Sequence, residues 1–300
     1  LSLNAEDRAL VFTSFAFDLT QKNIWATLAT GATLYLPKLH YFVVDLCCDI
    51  IQQERITRIN SSPSLFYALL EKTSLDCAQE TSSSPLLSLQ SVVLGGEAIQ
   101  YRLLEQWHTT HTARLYNSYG PTECTDVVTY ALISRPNLST IPQGLSSRAQ
   151  KESQLKTVNS QIPLGSPIFN TMISIRNPLN QVMRCRQVGE ICISGLPLGG
   201  GYIARDDLTR QVFLSSEIEQ CYKTGDFGYI AEDGLLYFTG RRDDQIKLRG
   251  LRIELSEIEQ AILSFDRQCA VFCWQETLVA FVVEKTSFSI QKFNKYSNVF

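Results

Sequence analysis

Short apolar runs that end near glycine alternate with stretches of helical repeat, and this alternation restricts the fold of the chain more than any other feature. "LQSVVLGG", "ARLYNSYG" and "VVTYALI" read as strands, whereas "SLFYALLEK" and "YRLLEQWH" read as helices. Nearer the start, Ile24, Trp25 and Leu28 recur at helical spacing, with Thr20 as candidate cap and Gly31 as candidate stop, and a strand "ATLYLP" follows. Alternating elements of this kind predict a layered α/β domain around a largely buried sheet. Ligands of such sheets bind at strand ends, and here the strand ends carry "GGEA" and "YGPTE".

The second of these lies within "NSYGPTECTDVV", Asn117 to Val128. Gly120 and Pro121 punctuate the backbone, which puts Tyr119, Thr122 and Glu123 on a tight loop between apolar runs. Such a loop either connects two strands or serves as a platform: a ring to stack on a base, a hydroxyl for an oxyanion, a carboxylate for a cation. "YKTGDFG" sets Asp226 after a Thr-Gly turn, where a carboxylate could accept both hydroxyl protons of a ribose, although Thr-Gly-Asp alone is most often just a turn. "GGEA" lets backbone approach a flat ligand closely, or is an ordinary strand-to-helix connection. In "GRRDDQIKLRG" cations crowd against Asp243 and Asp244, which usually means a solvated, salt-bridged face.

With 300 residues, 44% hydrophobic content and a net charge of −3, the chain can bury a substantial core and has no basic block to hold nucleic acid or an anionic membrane surface. No apolar run approaches the roughly 20 residues of a membrane helix. The nine cysteines contain no C-x-x-C, and the three histidines lack metal-ligand spacing, so the thiols read as reduced and the chain as cytoplasmic. A long polar stretch from Ser134 to Gln161 is expected to be an exposed excursion; "VGEICISG" and "GLLYFTG" then suggest a smaller β-rich part. Beyond them the pattern turns helical, with Ser256 and Glu259 in capping-box spacing ahead of Ile262.

"FAFDLT", "GGEA", "NSYGPTE", "GEICISG", "YKTGDFG" and "GRRDDQIKLRGLRIELSEIE" follow one another from Phe15 to Glu259. In that order they resemble the core motifs of the amino-acid adenylation domains of nonribosomal peptide synthetases, members of the ANL superfamily that also holds acyl-CoA ligases and luciferases. The resemblance implies a layered α/β core with a small β-rich subdomain and the start of a mobile α+β C-terminal subdomain. Its segments would be the core over 1–133, the polar loop over 134–161, the β-rich subdomain over 162–242 and the C-terminal subdomain over 243–300. It implies activation of an amino acid by ATP with Mg²⁺ to aminoacyl-AMP. The acyl group would then pass to the phosphopantetheine thiol of a peptidyl carrier protein domain in the same synthetase.

By the same resemblance Tyr119 stacks on adenine, Asn117 bonds its edge, and Gly96 and Phe238 belong to the nucleotide site. Thr122 contacts phosphate, Glu123 holds Mg²⁺, Asp226 takes the ribose hydroxyls and Arg241 supports them. Asp18 pairs with the substrate ammonium, since a cation in a partly dry pocket needs a fixed counter-charge, although a carboxylate at a helix start is also favoured by the macrodipole. Lys247 matches a lysine of the thioester-forming conformation, and Asp243 the hinge of the C-terminal subdomain. Leu19, Lys22, Asn60, Val93, Gly95, Ser118, Asp126 and Val127 would line the side-chain pocket, with Gly95 leaving its floor open. If Lys22 and Asp126 pair, the substrate side chain is neutral and hydrogen-bonding; if Asp126 faces away, Lys22 favours an acidic one. Asp18 and Lys22, four apart, could instead form an ordinary helix-face ion pair.

Departures from the family pattern are as informative. The glycine-rich phosphate loop expected before Phe12 is absent, and Lys285, Lys292 and Lys295 lie in no context matching the closing catalytic lysine. Thr20 stands at the motif's second hydroxyl position, and Phe227 replaces a usual leucine. The resemblance therefore implies a piece of the domain, inactive alone. An acyl-CoA ligase of the same superfamily, which would not need Asp18, and a catalytically dead nucleotide-binding or interaction module are the alternatives. Shortening 134–161 to a brief linker is expected to leave the fold intact, because loop length costs little free energy. Loss of the cooperative unfolding transition in the deletion variant would show that the segment packs.

Overall fold

The computed structural model describes residues 3–38, 42–78, 84–105, 107–134, 162–215, 220–241, 245–248, 251–263, 269–274, 277–283 and 288–292. The chain divides into two compact units, Leu1–Gly240 and Arg241–Phe300. In the first, one sheet runs in the order β2 (Thr33–Tyr35), β1 (Arg8–Leu10), β3 (Arg58–Ser61), β4 (Ser91–Gly95), β5 (Arg114–Tyr119), β6 (Thr129–Leu132), β7 (Ser166–Pro167). β1 to β5 are parallel, and β6 and β7 are antiparallel additions. Parallel neighbours need long crossovers, which α1 (Asp18–Ala29), α2 (Val44–Gln53) and α3 (Pro63–Ala78) supply between successive strands. The chain steps from β1 outward to β2 and then back past β1 to β3, and that reversal opens a crevice beyond the carboxyl ends of the strands.

Ile59, Val92, Leu94 and Leu115 from the strands pack with Cys47, Cys48 and Ile51 of α2 and Phe66 and Leu69 of α3 in one core. The Phe66 ring meets Trp107 edge-on with centroids 5.1 Å apart. Removing such a buried ring costs about 3–5 kcal/mol. α3 opens on a proline suited to a first turn, and Glu97 of "GGEA" receives the backbone N–H and the hydroxyl of Ser64 there, each at 3.0 Å. Glu97 thus anchors a helix start.

Three local expectations are corrected. α1 begins at Asp18, so Thr20 is no cap; fully buried, it donates its hydroxyl to the Ser14 carbonyl at 2.6 Å and ties down the approach to the helix. "YRLLEQWH" is not one helix but a 3₁₀ turn at Tyr101–Leu104 and a short α4 (Trp107–Thr110). Its buried residues Tyr101, Leu104 and Trp107 recur every third position, a 3₁₀ rather than an α spacing. The third is the capping box: the last helix starts at Leu255, which leaves Ser256 inside it, and Glu259 accepts the Val271 N–H at 2.8 Å instead.

A second, antiparallel sheet joins β10 (Phe213–Ser215), β11 (Gln220–Ile230), β9 (Gly189–Gly195) and β8 (Thr171–Arg176), with β12 (Leu236–Arg241) on β11 and the short α5 (Asp206–Val212) ahead of β10. Its core of Ile175, Ile191, Ile193, Tyr222 and Leu236 includes Tyr119, Cys124 and Val128, so the Asn117–Val128 stretch packs directly on it. In the second unit β13 (Gln245–Leu248) and β14 (Leu251–Glu254) form a hairpin leading into α6 (Leu255–Leu263). The three-stranded sheet β15 (Cys269–Trp274), β16 (Thr277–Val283) and β17 (Phe288–Lys292) completes it around Leu255, Val271, Ala280 and Val282. The contact boundary falls two residues before the sequence-based one at 242/243, and residues 135–161 and Asp243 lie outside the described residues.

Among the described residues no helix is long and apolar enough to cross a membrane. The described cysteines are free thiols, and burial pushes those of Cys47, Cys124 and Cys192 up to about 12. At about pH 8, near the usual thiol pKa, a maleimide is therefore expected to modify the exposed Cys185 and to spare those three until denaturant is added. Labelling of Cys124 in the native protein would mean that its loop opens.

Candidate active site

The loop from Gly120 to Val128 is shaped by one close approach. A Cβ on Gly120 would lie 1.9 Å from the carbonyl oxygen of Asp126, so only glycine lets the loop fold back on itself. Val128 N–H closes it on the Tyr119 carbonyl at 2.8 Å, Thr122–Cys124 form a single 3₁₀ turn, and Thr125 and Asp126 take left-handed conformations at φ 57 and φ 73. Left-handed backbone is unfavourable for a threonine and tolerable for an aspartate, and such local strain persists only where the surroundings hold it. The turn presents Thr122 exposed and Glu123 half-buried at the end of β5.

Asp18 meets this loop across the crevice. Its Oδ1 accepts the Leu19 N–H at 2.7 Å, as a carboxylate in a first helical turn should, and its Oδ2 accepts the Thr122 hydroxyl. One turn further on, Lys22 reaches Asp126 rather than Asp18: Nζ and Oδ2 stand 3.0 Å apart, and neither atom has another hydrogen-bond partner. Burial pushes the Lys22 ammonium below its ordinary range and the Asp126 carboxyl above its own, and each pulls the other back.

Asn60, on β3, gives its amide N–H to Asn23 Oδ1 at 2.9 Å, while its own Oδ1 is buried with no partner. Val93 and Leu19 are buried and Val127 is half-buried. The open floor expected at Gly95 is a correction. A Cβ there would sit 2.5 Å from Ser118 Oγ and 3.5 Å from Leu19 Cδ1, so the glycine makes room for the serine, whose hydroxyl donates to the Leu94 carbonyl at 3.2 Å. Gly96 has a φ of 85 with nothing within 4 Å of a built Cβ, which leaves its surroundings open.

Tyr119 and Asp226, 107 positions apart, come together: the phenol donates to Asp226 Oδ2 at 2.7 Å, and the two residues are only 6% and 2% exposed. Thr-Gly-Asp is not a turn between elements but a bulge inside β11, where the pairing with β9 shifts register between Lys223 and Phe227. Gly225 adopts φ 73, and Thr224 accepts the Asp226 N–H at 3.0 Å while donating to the Ile191 carbonyl at 2.8 Å, which aims the carboxylate inward. Asn117 spends its amide N–H on the Pro163 carbonyl at 2.8 Å, which ties β5 to the stretch that leads into β7. Phe238, on β12, is partly exposed; Arg241 ends that strand, and Lys247 is exposed opposite Arg252 in the β13–β14 hairpin.

Sequence reasoning passed over Tyr202. Its hydroxyl donates to Glu123 Oε1 at 2.6 Å, and Gly199 N–H donates to the Glu123 carbonyl at 2.8 Å. The run of three glycines before an aromatic in "LGGGY" was the available signal, because glycines there allow backbone to lie against backbone.

Parallel strands, a topological switch and a hydroxyl–carboxylate loop at the strand ends place the chain among the open-sheet α/β proteins, whose ligands bind beyond the carboxyl ends of the strands. The AMP-binding enzyme family matches residues 1–203, and the chain belongs to that family. Tyrocidine synthase 2 of Brevibacillus parabrevis is 31% identical over 298 residues, 95% of this chain and 8% of that protein. Tyrocidine synthase 3 of the same organism is 34% identical over 269 residues, 88% of this chain and 4% of that protein. The crystal structure of the Vibrio cholerae adenylation domain AlmE in complex with glycyl-adenosine-5'-phosphate has 28% identity and a TM-score of 0.74, covering 93% of this chain and 50% of that one. Holo-PA1221, a nonribosomal peptide synthetase protein containing adenylation and PCP domains, shares the fold at a TM-score of 0.77 and 24% identity, over 96% of this chain and 48% of that one. The chain thus spans under a tenth of the two synthases and about half of each solved chain.

Lys22→Met is expected to destabilise the fold by about 3 kcal/mol, the low end for a broken buried pair because the side chains keep 27% and 14% exposure. Adding Asp126→Asn, which tolerates the left-handed backbone, should restore most of the loss. In Lys22→Met the carboxyl loses the cation that lowers its pKa, so its folded pKa lies still further above the unfolded value of about 3.9. A raised carboxyl costs nothing below the unfolded value and its full penalty above the folded one, so the deficit should grow as pH rises from about 4. Urea melts across pH check this; a deficit largest in acid would reverse the assignment.

Proposed function

We propose that the protein carrying this chain activates an amino acid by adenylation and hands the acyl group to a carrier-protein thiol. The single observation that carries the reading is the Asp18–Thr122 contact, which joins a helix-start carboxylate to the hydroxyl of the Thr122–Cys124 turn across 104 positions. An amino acid with its ammonium on Asp18 would lay its own carboxylate beside Thr122 and Glu123. A carboxylate oxygen of the substrate attacks the α-phosphorus of ATP, the bond to the bridging oxygen breaks, and pyrophosphate leaves. In the second half, a phosphopantetheine thiolate attacks the acyl carbon and AMP departs. The chain's residues orient and neutralise rather than bond covalently. The glycyl-adenylate bound to the AlmE relative and the adenylation–PCP pairing in PA1221 support the two halves.

Mg²⁺ fits the donor set. Among the described residues no three His, Cys, Asp or Glu groups could cage an ion, but Mg²⁺ leans on one or two carboxylates plus substrate phosphates, and Glu123 offers one at the loop. Glu123 would hold the ion, which when bound neutralises phosphate charge. Tyr119 and Asp226 would serve adenine and ribose, with the Tyr119 hydroxyl orienting the carboxylate. Arg241, Lys247 and Asp243 keep their proposed roles as ribose support, thioester-state lysine and hinge.

The side-chain pocket favours a neutral, hydrogen-bonding substrate. Lys22 is already matched by Asp126, which leaves no net charge to recruit an acidic side chain. Asn60 Oδ1 offers an unused acceptor and Lys22 Nζ unused donors, a set suited to a side-chain amide or hydroxyl. The test is amino-acid-dependent exchange of pyrophosphate into ATP by the parent protein. Glu123→Ala and Asp226→Ala should each lower the rate at least about 100-fold, as loss of a transition-state electrostatic contact does. Asp18→Ala should depress amino acids far more than a des-amino acid, Lys22→Met should blunt the preference for Gln or hydroxylated side chains, and equal Asp18→Ala losses for both substrates would assign Asp18 a structural role at the helix start instead. Normal exchange in the Glu123 and Asp226 variants, or a wild-type preference for Phe, Leu or Val, would overturn the corresponding part of the proposal.

A further inference from the structure

The chain leaving β9 runs across the Thr122–Cys124 turn and grips it at three points. Thr125 Oγ1 donates to the Pro197 carbonyl at 2.8 Å, Gly199 N–H to the Glu123 carbonyl at 2.8 Å, and the Tyr202 hydroxyl to Glu123 Oε1 at 2.6 Å. The approach is close enough that a Cβ on Gly199 would lie 3.0 Å from the Glu123 carbonyl. Tyr202 is itself held at its other end. Its N–H donates to Thr209 Oγ1 at 2.9 Å, on α5, and its ring stands edge-on to Phe213 with centroids 6.0 Å apart. Gly201 before it takes φ 108, and a Cβ there would fall 2.5 Å from Thr209 Cγ2, so the backbone can bring Tyr202 round only with glycine in that place.

We infer that Tyr202 is a positioning residue for the Glu123 carboxylate. A phenol braced at backbone and ring presents its proton from a fixed place, and a short O–H···O⁻ bond to an anion is among the stronger hydrogen bonds. It removes the rotamer freedom that a half-buried glutamate otherwise has and must lose on meeting a cation. The strap spans 197–202, outside the resemblance motifs, and links the outer sheet to the metal-facing loop. The inference rests on the proposed role of Glu123 as the carboxylate that holds the divalent ion. Outer hydrogen bonds of this type alter metal affinity by about 10–100-fold in other proteins.

Tyr202→Phe keeps the ring and removes only the hydroxyl. In the parent protein, Mn²⁺ affinity in the presence of a non-hydrolysable ATP analogue, read by the loss of free-ion EPR signal, should fall about tenfold. With Glu123→Gln already present, adding Tyr202→Phe should change it less than about twofold, because a group that acts through a partner has no effect once the partner's charge is gone. A Tyr202→Phe variant that binds Mn²⁺ as wild type does, or that loses affinity equally in both backgrounds, overturns the inference while leaving the function intact. Glu123→Gln binding Mn²⁺ like wild type would instead overturn the role of Glu123 on which both readings depend.

Discussion

The site hangs on the contact of Gly120 with the carbonyl of Asp126. Because nothing larger than hydrogen fits between them, the loop after β5 can double back over Gly120–Val128 and still leave β5 and β6 in antiparallel register, Tyr119 opposite Thr129. That closure turns Thr122 and Glu123 toward the crevice and forces Asp126 into a left-handed conformation facing Lys22. A β-branched or larger residue at Gly120 would push the loop open and separate all three at once.

The protein buries one charge pair at that loop and another at the amino-terminal ends of β1 and β3. Lys22 and Asp126 are each disfavoured by burial and held charged by the other, an arrangement that contributes little to stability but leaves polar atoms unsaturated where a ligand can use them. Arg58 and Asp7, 2.7 Å apart, are the structural counterpart: Asp7 also takes Asn4 N–H and the Thr57 hydroxyl, so its carboxylate is saturated and offers nothing to a ligand. The difference between the two pairs is how many donors converge on the carboxylate.

The second sheet contributes geometry rather than area. Its register shift at Thr224–Asp226 carries a carboxylate to the Tyr119 hydroxyl, and the strap after β9 carries a phenol to Glu123. Both reach the end of β5 and the loop after it from neighbouring strands of one sheet. The loop is thereby fixed to this sheet by hydrogen bonds and by the burial of Tyr119, Cys124 and Val128 in its core.

Local periodicity carried much of this. Apolar alternation and helical spacing place β2, β4, β5, β6, α1 and α3 within a few residues, because a strand or helix that buries one face must repeat its pattern along the chain, whereas α2 and β3 are not read from it. Gly-Pro punctuation likewise marks the Gly120 loop, since the demand is on the backbone of those residues themselves. The spacing misread only what depends on neighbours: Thr20 at α1, "YRLLEQWH", and the Ser256–Glu259 pair. No local pattern says that Thr122 meets Asp18 104 positions away, that Glu123 meets Tyr202 79 away, or that Ser118 fills the space above Gly95. Those pairings were decided by the closure of parallel strands around one switch point and by the packing of the antiparallel sheet on the Gly120 loop, long-range events in which each side chain's partner is set by the folded backbone and not by its own sequence neighbours.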